Sequence, residues 1–551
     1  MDARPVARHH SARGPSLRRR RGAAGGGRPA AHALPPGCAR RPQSRPLPPP
    51  PAGPDGGRVL RRLARLVAVP QPSRAEILID TRPLWRILAE RTYRPILLST
   101  GLVVYLMVRT MPQPEGLSPA GQNALAIFAL CLVYWVTSVL PLMVTSLLAI
   151  VLLPTTGVIS AKETYALFGN EAVFFILGAF ILAAALIKCG LSSRIAITIL
   201  RRFGHTPRTL LLSLFLMNAF MSFFMSEHAV AAMTFPITLE IARVLRLPRE
   251  GSNYARALFL AMAWGTQIGG IATLLGGGRA PLAIGMLRET SGQSYSFAEW
   301  TLAAWPIVAI LLVVGWQVIV RFFPIDIDSV RDADAVIAQK LLRMGRPSVR
   351  EKSIGLVMLA TLVAWIVGGE EFGLANIALA GVVVIFLLRL LTWPDLEQYV
   401  NWGILLMYGG AIALGAAMTR SGASGWVASV TVSRWAQTPL QVLAVISAIG
   451  ILLTEAMSHS AVVALLMPVA IGIAQQFGID PRVMAPAVAL PAGLAFTLPV
   501  GTPGNAIAYS SGYLRLRDML VPGFVLVAAA WLAFMATATW YWPLIGLGVG
   551  R

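Results

Sequence analysis

Two apolar stretches of about 40 residues, 208–246 and 437–477, are each broken once, by Ser226-Glu227-His228 and by Ser458-His459-Ser460. The triplets stand 232 residues apart, and at the same offset Gly178 matches Gly410, Gly190 matches Gly422 and Pro236 matches Pro468. The chain therefore holds two copies of one unit, each interrupted at the same place. Outside the N-terminal tail only His205, His228 and His459 remain as histidines, and two of these lie in the breaks. Ionisable groups inside apolar sequence are costly, so their position is a clue to function.

Of the 551 residues, 56% are hydrophobic and 13% charged, whereas a soluble chain carries roughly a quarter charged. Apolar runs of about 18 residues or more recur along the chain, which argues for an all-α polytopic membrane protein and against a soluble core. The charge of +22 is uneven. Residues 1–75 hold 16 Arg against two acids, Asp2 and Asp55. This tail, rich in Pro, Gly and Ala, shows no apolar period before Val59 and is expected to be disordered. An arm for nucleic acid or a membrane surface is one reading of it. A dispensable extension, arising from a start codon assigned too early, fits its lack of pattern better, and no nucleic-acid partner is expected. Cys38, Cys131 and Cys189 show neither metal spacing nor a disulfide framework.

The organisation follows from the apolar spans. Residues 76–120 hold a first helix, from about Pro95 to Met111, and a connection. Repeat 1 covers 121–322, with spans near 121–139, 142–157 and 170–188, the first broken stretch, a further stretch, 253–290, broken by glycines, and a span near 299–322. A segment of mixed charge, 323–352, reads as a soluble linker. Repeat 2 covers 353–551, with spans near 353–368, 372–391 and 402–420, the second broken stretch, a further stretch, 482–515, broken at 498–505, and a span near 519–545. Each broken stretch is expected to form a re-entrant hairpin with its triplet at the tip. Irregular backbone at membrane depth is allowed only beside protein or a water-filled cavity.

The Arg-rich loops around 194–208 and 243–256 and the 323–352 linker fall on one side when hairpins do not cross, and that side should be cytoplasmic. The acidic turn Gly368-Gly369-Glu370-Glu371 then lies outside. Each repeat crosses five times, so the copies are inverted. Inverted repeats with broken helices near the midplane are a transporter signature.

The breaks suit ions of both signs. A helix that starts at a tip offers N–H groups to an anion, and one that ends there offers carbonyls to a cation. Ser222 and Thr454 stand four residues before Ser226 and Ser458, on the helix face that leads into each tip. An ordinary Ser helix cap explains one such residue but not two matched triplets. A second pair of breaks is Gly/Pro-rich. Gly501-Thr502-Pro503-Gly504-Asn505 should unwind its helix, leaving Thr502 and Asn505 to supply polar groups. Gly269-Gly270-Ile271-Ala272-Thr273 allows close backbone approach, either to an ion or to another helix.

Residues 95–545 resemble the divalent anion:sodium symporter family, solute carrier family 13, within the ion-transporter superfamily. The resemblance rests on Trp135-Val136-Thr137-Ser138 with Pro141, Asn401-Trp402-Gly403, Gly409-Gly410, Thr454-Glu455, Gly269 to Leu274 and, above all, Leu498 to Asn505. It implies an inverted-repeat, elevator-type transporter with about 11 transmembrane helices and two re-entrant hairpins. It also implies a homodimer in the cell's inner (plasma) membrane, with the N-terminus and the linker cytoplasmic. The implied cargo is a small anion, a di- or tricarboxylate or sulfate. The coupling ion is Na⁺, H⁺ or both, and no further cofactor is expected. In this reading Glu227, His228, Ser458, His459, Ser460 and Thr502 face the substrate, and Ser222, Ser226, Gly269, Thr454, Gly501 and Asn505 face a cation.

The chain departs from the family where these roles would be carried. The family's tips read Ser-Asn-Thr, and here both Asn positions are replaced, by Glu227 and His459. The family's Gly-Thr-Pro-Pro-Asn becomes Gly276-Gly277-Gly278-Arg279-Ala280 in repeat 1. Glu227 is then open to three readings: it binds a cation, it is held protonated, or it pairs with His228, His459 or Arg279. Two histidines beside a carboxylate suggest a link to protons. An anion exchanger, or an arsenite- or cation-type carrier of the superfamily, is the alternative among carriers. Inverted repeats with central breaks speak against a channel or receptor, and the absence of HExxH-type spacing speaks against a membrane enzyme.

Overall fold

The computed structural model describes residues 84–431 and 438–548, so the expectation for the tail, 1–75, lies outside the described residues. Secondary structure among the described residues is helical, with no strand. A leading helix α1 (Leu84–Thr110) precedes repeat 1, which runs α2 (Pro119–Thr137), α3 (Leu142–Thr155), α4 (Ala161–Phe168), α5 (Glu171–Lys188), α6 (Leu191–Phe203), α7 (Pro207–Met221), α8 (Glu227–Val244), α9 (Asn253–Gly270), α10 (Arg279–Ser291) and α11 (Phe297–Phe322). The 323–352 segment is more than a linker: it contains α12 (Arg331–Met344), whose Ala333 and Ile337 are buried. Repeat 2 runs α13 (Val349–Phe372), α14 (Leu374–Leu387), α15 (Trp393–Tyr399), α16 (Trp402–Arg420), α17 (Ala423–Thr431), α18 (Pro439–Ala456), α19 (His459–Phe477), α20 (Pro481–Ala489), α21 (Pro503–Ser510) and α22 (Leu516–Ala536).

The 232-residue offset governs this order as far as the tips. It relates α3 to α14 residue for residue, and Ser226, the N-cap of α8, to Ser458, the N-cap of α19. Beyond the tips repeat 2 is tighter. The start of α9 maps to the start of α20 at an offset of 228, and α11 maps to α22 at 219. The matched glycines have matched duties. Gly190 and Gly422 both take positive φ, +83° and +78°, where the chain turns into α6 and α17. A Cβ on Gly178 would come 2.6 Å from the Cβ of Ala378, and one on Gly410 would come 2.6 Å from the Cβ of Ser146. Ala378 is the repeat mate of Ser146, so each copy presses its glycine on the other copy in the same way.

The ion pairs show that the copies are inverted. On the side of the Arg-rich loops, Arg194 pairs with Glu351 at 3.1 Å, Arg201 with Asp334 at 2.5 Å and Arg256 with Asp518 at 3.3 Å, and Lys188 pairs with Asp395. At the opposite helix ends Arg420 pairs with Glu163 at 3.6 Å, Arg482 with Glu299 at 2.6 Å, and Arg288 with Glu171. Among the described residues no ion pair joins the two sets. Lys188–Asp395 and Arg420–Glu163 are repeat mates, yet they fall in opposite sets. The internal symmetry therefore exchanges the two faces.

Each broken stretch folds back on itself. Thr206-Pro207 and Thr438-Pro439 start α7 and α18 with capping boxes. The Thr234 hydroxyl donates to Asn218 Oδ1 at 2.8 Å across the first turn, and Gly450 faces Leu466 at the matching positions of the second. With 15 residues, α7 is only about 22 Å long, short of the roughly 30 Å of a bilayer core. Among the described residues eight helices are long and apolar enough to cross a membrane, while Leu142–Thr155, Pro207–Met221 and Leu374–Leu387 are apolar but shorter. The eight include α18 and α19, so length alone does not separate a hairpin from two spans in repeat 2.

Candidate functional site

The tips of the two hairpins touch. Ser226 and Ser458 cap their helices by accepting from the N–H groups of Ala229 and Ala461. This places Glu227 and His459 at the first turns of α8 and α19, facing each other. His459 Nε2 lies 3.2 Å from Glu227 Oε1. The Arg279 Nη1 group donates to the same oxygen at 3.0 Å, and His228 Nδ1 stands 3.9 Å from it. Glu227, Arg279 and His459 are 1%, 2% and 5% exposed, whereas His228 is 48% exposed on its side chain. Of the three readings of Glu227, pairing is the one the geometry shows: a buried carboxylate against a guanidinium and an imidazole. Unpaired, either ion would be prohibitive at this depth.

The surroundings fix each member. Glu227 donates its backbone N–H to the Gly276 carbonyl at 2.9 Å. Arg279 follows Gly276-Gly277-Gly278, and its guanidinium fills space left by glycines: a Cβ on Gly277 would come 2.7 Å from Nη1, and one on Gly493 2.6 Å from Nε. His459 is held through Nδ1 by the Ala492 carbonyl and by the Thr454 hydroxyl at 2.8 Å, which turns Nε2 toward Glu227. Ser460 shares a 2.8 Å hydrogen bond with Tyr408. Glu227 and Arg279 come from repeat 1 and His459 from repeat 2, so the cluster spans the symmetry axis without obeying it.

The second pair of breaks differs from expectation in position. Pro503, Gly504 and Asn505 do not unwind a helix; they begin α21, with Thr502 as N-cap and Pro503 at N1. The unwound stretch lies before them, between the 3₁₀ turn Pro491–Gly493 and Thr502. Glu455 organises it, accepting from the N–H groups of Phe496, Thr497 and Leu498 at 2.9, 3.1 and 2.9 Å. Asn505 donates to the Ala495 and Leu498 carbonyls at 3.1 and 3.0 Å and accepts from Gln267 at 2.8 Å. In repeat 1 the break runs from the end of α9 at Gly270 to Arg279, and the Thr273 hydroxyl ties it to the Phe223 carbonyl at 2.7 Å.

Of the residues expected to face a cation, Ser222 is fully buried and its hydroxyl lacks a hydrogen-bond partner among the described residues. Gly501 lies against the carbonyls of Thr454 and Glu455, 2.9 and 3.1 Å from where its Cβ would be. Gly269 presses on the Ala219 backbone, and a Cβ there would sit 2.1 Å from the Ala219 carbonyl oxygen, so its contact is a helix crossing. Thr502 and Asn505 are occupied by capping and loop hydrogen bonds. Sequence reasoning missed Glu455, Tyr408 and Gln267 as members of this region. Glu455 alone left a signal, as a carboxylate one residue after Thr454 in apolar sequence.

A separate cavity of about 530 Å³ opens at the helix ends that carry Glu171, Arg288, Tyr295, Glu299 and Arg482, and no tip residue lines it. At the tips themselves, the two hairpins close against each other.

Comparison with known proteins agrees with this architecture. The family model described as "Sodium:sulfate symporter transmembrane region" matches residues 94–547. The chain is 30% identical over 455 residues to the sodium-dependent dicarboxylate transporter SdcS of Staphylococcus saprophyticus, covering 77% of this chain and 86% of that one. It is 28% identical over the same length to SdcS of Staphylococcus aureus, with the same coverage. The solved structure of Neisseria gonorrhoeae MtrF shares the fold at a TM-score of 0.50 and 13% identity, covering 81% of this chain and 94% of that chain. The chain belongs to the family of the sodium:sulfate symporter transmembrane region, the divalent anion:sodium symporters, and is a polytopic membrane transport protein, not an enzyme.

Proposed function

We propose that this protein is a secondary active carrier of a small anion, a di- or tricarboxylate or sulfate, coupled to Na⁺, H⁺ or both. The observation that carries the reading is the meeting of two helix N-termini, at Glu227 and His459, from opposite sides of an inverted repeat. Such termini favour anions, and the Arg279 guanidinium beside them adds a fixed cation. The names of the staphylococcal relatives support a dicarboxylate and Na⁺. In this reading the hairpins 208–246 and 437–477 are re-entrant and carry the substrate past the rest of the molecule by an elevator shift. Ser222, Ser226, Thr454 and Gly501 face Na⁺, and Ser458, Ser460 and His228 line the anion's path. The carrier works as a homodimer in the plasma membrane, with its N-terminus and linker in the cytoplasm.

The test is uptake into liposomes that contain the purified protein, with radiolabelled succinate, citrate and sulfate under separate Na⁺ and pH gradients. An inward Na⁺ gradient should drive accumulation of one of the three. Uptake that needs only internal anion, and neither gradient, would refute symport in favour of exchange.

A further inference from the structure

We propose that substrate and Na⁺ enter by splitting one internal ion pair: an anionic oxygen group of the substrate takes Arg279, and the Glu227 carboxylate it displaces takes Na⁺. This rests on the carrier reading above and names how its two ligands are coupled.

In the closed site the pair is used at one end only. Arg279 Nη1 and Glu227 Oε1 meet at 3.0 Å, while Arg279 Nη2 and Glu227 Oε2 are buried without hydrogen-bond partners among the described residues. Both unused atoms border the space where Gly270 has no side chain. A Cβ there would lie 3.2 Å from Nη2, 2.9 Å from Oε2 and 3.3 Å from the Gly276 carbonyl oxygen. One donor is thus open to an anion, and one charged oxygen, beside a carbonyl that already accepts from the Glu227 N–H, is open to a hard monovalent cation. His459 and His228 face Glu227, and Tyr408, tied to Ser460, stands beside Gly278.

Charge balance then imposes coupling. The closed pair is neutral. An anion on Arg279 alone would strand Glu227 at depth, and a cation on Glu227 alone would strand Arg279. Only both together leave Arg279 and Glu227 each with a counter-charge; the second charge of a dianion lies beyond this pair. In the family resemblance, positions 227 and 279 carry Asn and Pro, both neutral. The two departures at these positions are partners, and together they install one exchangeable charge pair.

The experiment measures binding of radiolabelled succinate to the purified full-length protein in nanodiscs at graded Na⁺. If liposome uptake selects sulfate or citrate instead, that anion is the probe. The slope of log affinity against log Na⁺ concentration counts the Na⁺ bound with the anion. Glu227→Gln should lower the slope by about one Na⁺ and raise affinity at low Na⁺ about 10- to 100-fold, because Arg279 is released for the anion. Arg279→Gln should weaken binding at least about 100-fold at every Na⁺ concentration, with Arg279→Lys between. The double variant Glu227→Gln/Arg279→Gln keeps the site neutral and should fold where a single variant does not. It should show the slope of Glu227→Gln and the weak affinity of Arg279→Gln. A wild-type slope in Glu227→Gln, or in the double variant, overturns the proposal, as does wild-type affinity in Arg279→Gln. Wild-type binding and uptake that ignore Na⁺ would instead overturn the carrier reading itself.

Discussion

The buried pair makes a stability prediction that is independent of transport. Replacing Arg279 by Gln removes the counter-charge of a carboxylate that is 1% exposed. At the observed 3.0 Å, the gross attraction is about 5 kcal/mol for an effective dielectric of about 20. Breaking such a pair from one side costs roughly 3–5 kcal/mol, since the surviving ion is left without compensation. Glu227→Gln should cost a similar amount, offset in part because the freed guanidinium keeps its glycine-lined slot. Neutralising both ends with groups of like shape should cost only about 1 kcal/mol, because no charge is stranded. The double-mutant cycle therefore predicts a coupling energy of about 3 kcal/mol or more. The assay is the thermal unfolding midpoint in detergent for wild type, both single variants and the double variant, read by intrinsic tryptophan fluorescence. The double variant should unfold above either single variant. If the single effects simply add, Glu227 and Arg279 do not stabilise each other and the geometry of the tips is wrong.

Two further outcomes follow from other sites. Glu455→Gln exchanges one carboxylate oxygen for a donor that cannot accept from the Leu498 or Thr497 N–H, which should cost about 1.5–3 kcal/mol. Amide exchange of residues 496–498 should quicken, and wild-type protection there would refute the role given to Glu455. On the loop side, Lys188 and then Thr392 hold the Asp395 carboxyl down at about 2. A lowered value stabilises above the ordinary carboxylate range and loses its effect as pH falls toward that lowered value. The midpoint difference between wild type and Asp395→Asn should thus stay constant from about pH 5 to about pH 8 and shrink only below about pH 4.

The repeat was legible because symmetry keeps its spacing where both copies do the same work. Thr206 and Thr438 both start hairpins, Ser226 and Ser458 both cap them, and Gly190 and Gly422 both turn the chain. An offset of fixed length reports such shared duties directly. It fails after the tips, where repeat 2 shortens and the helix breaks fall differently. Reading Gly501 to Asn505 as the unwound segment missed that Pro503 at N1 begins a helix more readily than it ends one. The short amphipathic helices α4, α6, α15 and α17 were also passed over, because runs of this length carry little apolar signal against the spans beside them.

The chemistry was less legible than the fold for a specific reason. Glu227, Arg279 and His459 lie in three different breaks and are brought together only when the hairpins close. Sequence spacing reports neighbours within one helix, and none of these is a neighbour of another in that sense. The family resemblance, not spacing, marks Glu227, His459 and Arg279 as standing where the family carries Asn, Asn and Pro. A single charge placed there would be a defect. A carboxylate and a guanidinium 3.0 Å apart are not, since each meets the other's cost. Each residue of the pair thus offsets the burial cost of the other. Variants that neutralise one position should therefore be less stable than variants that neutralise both.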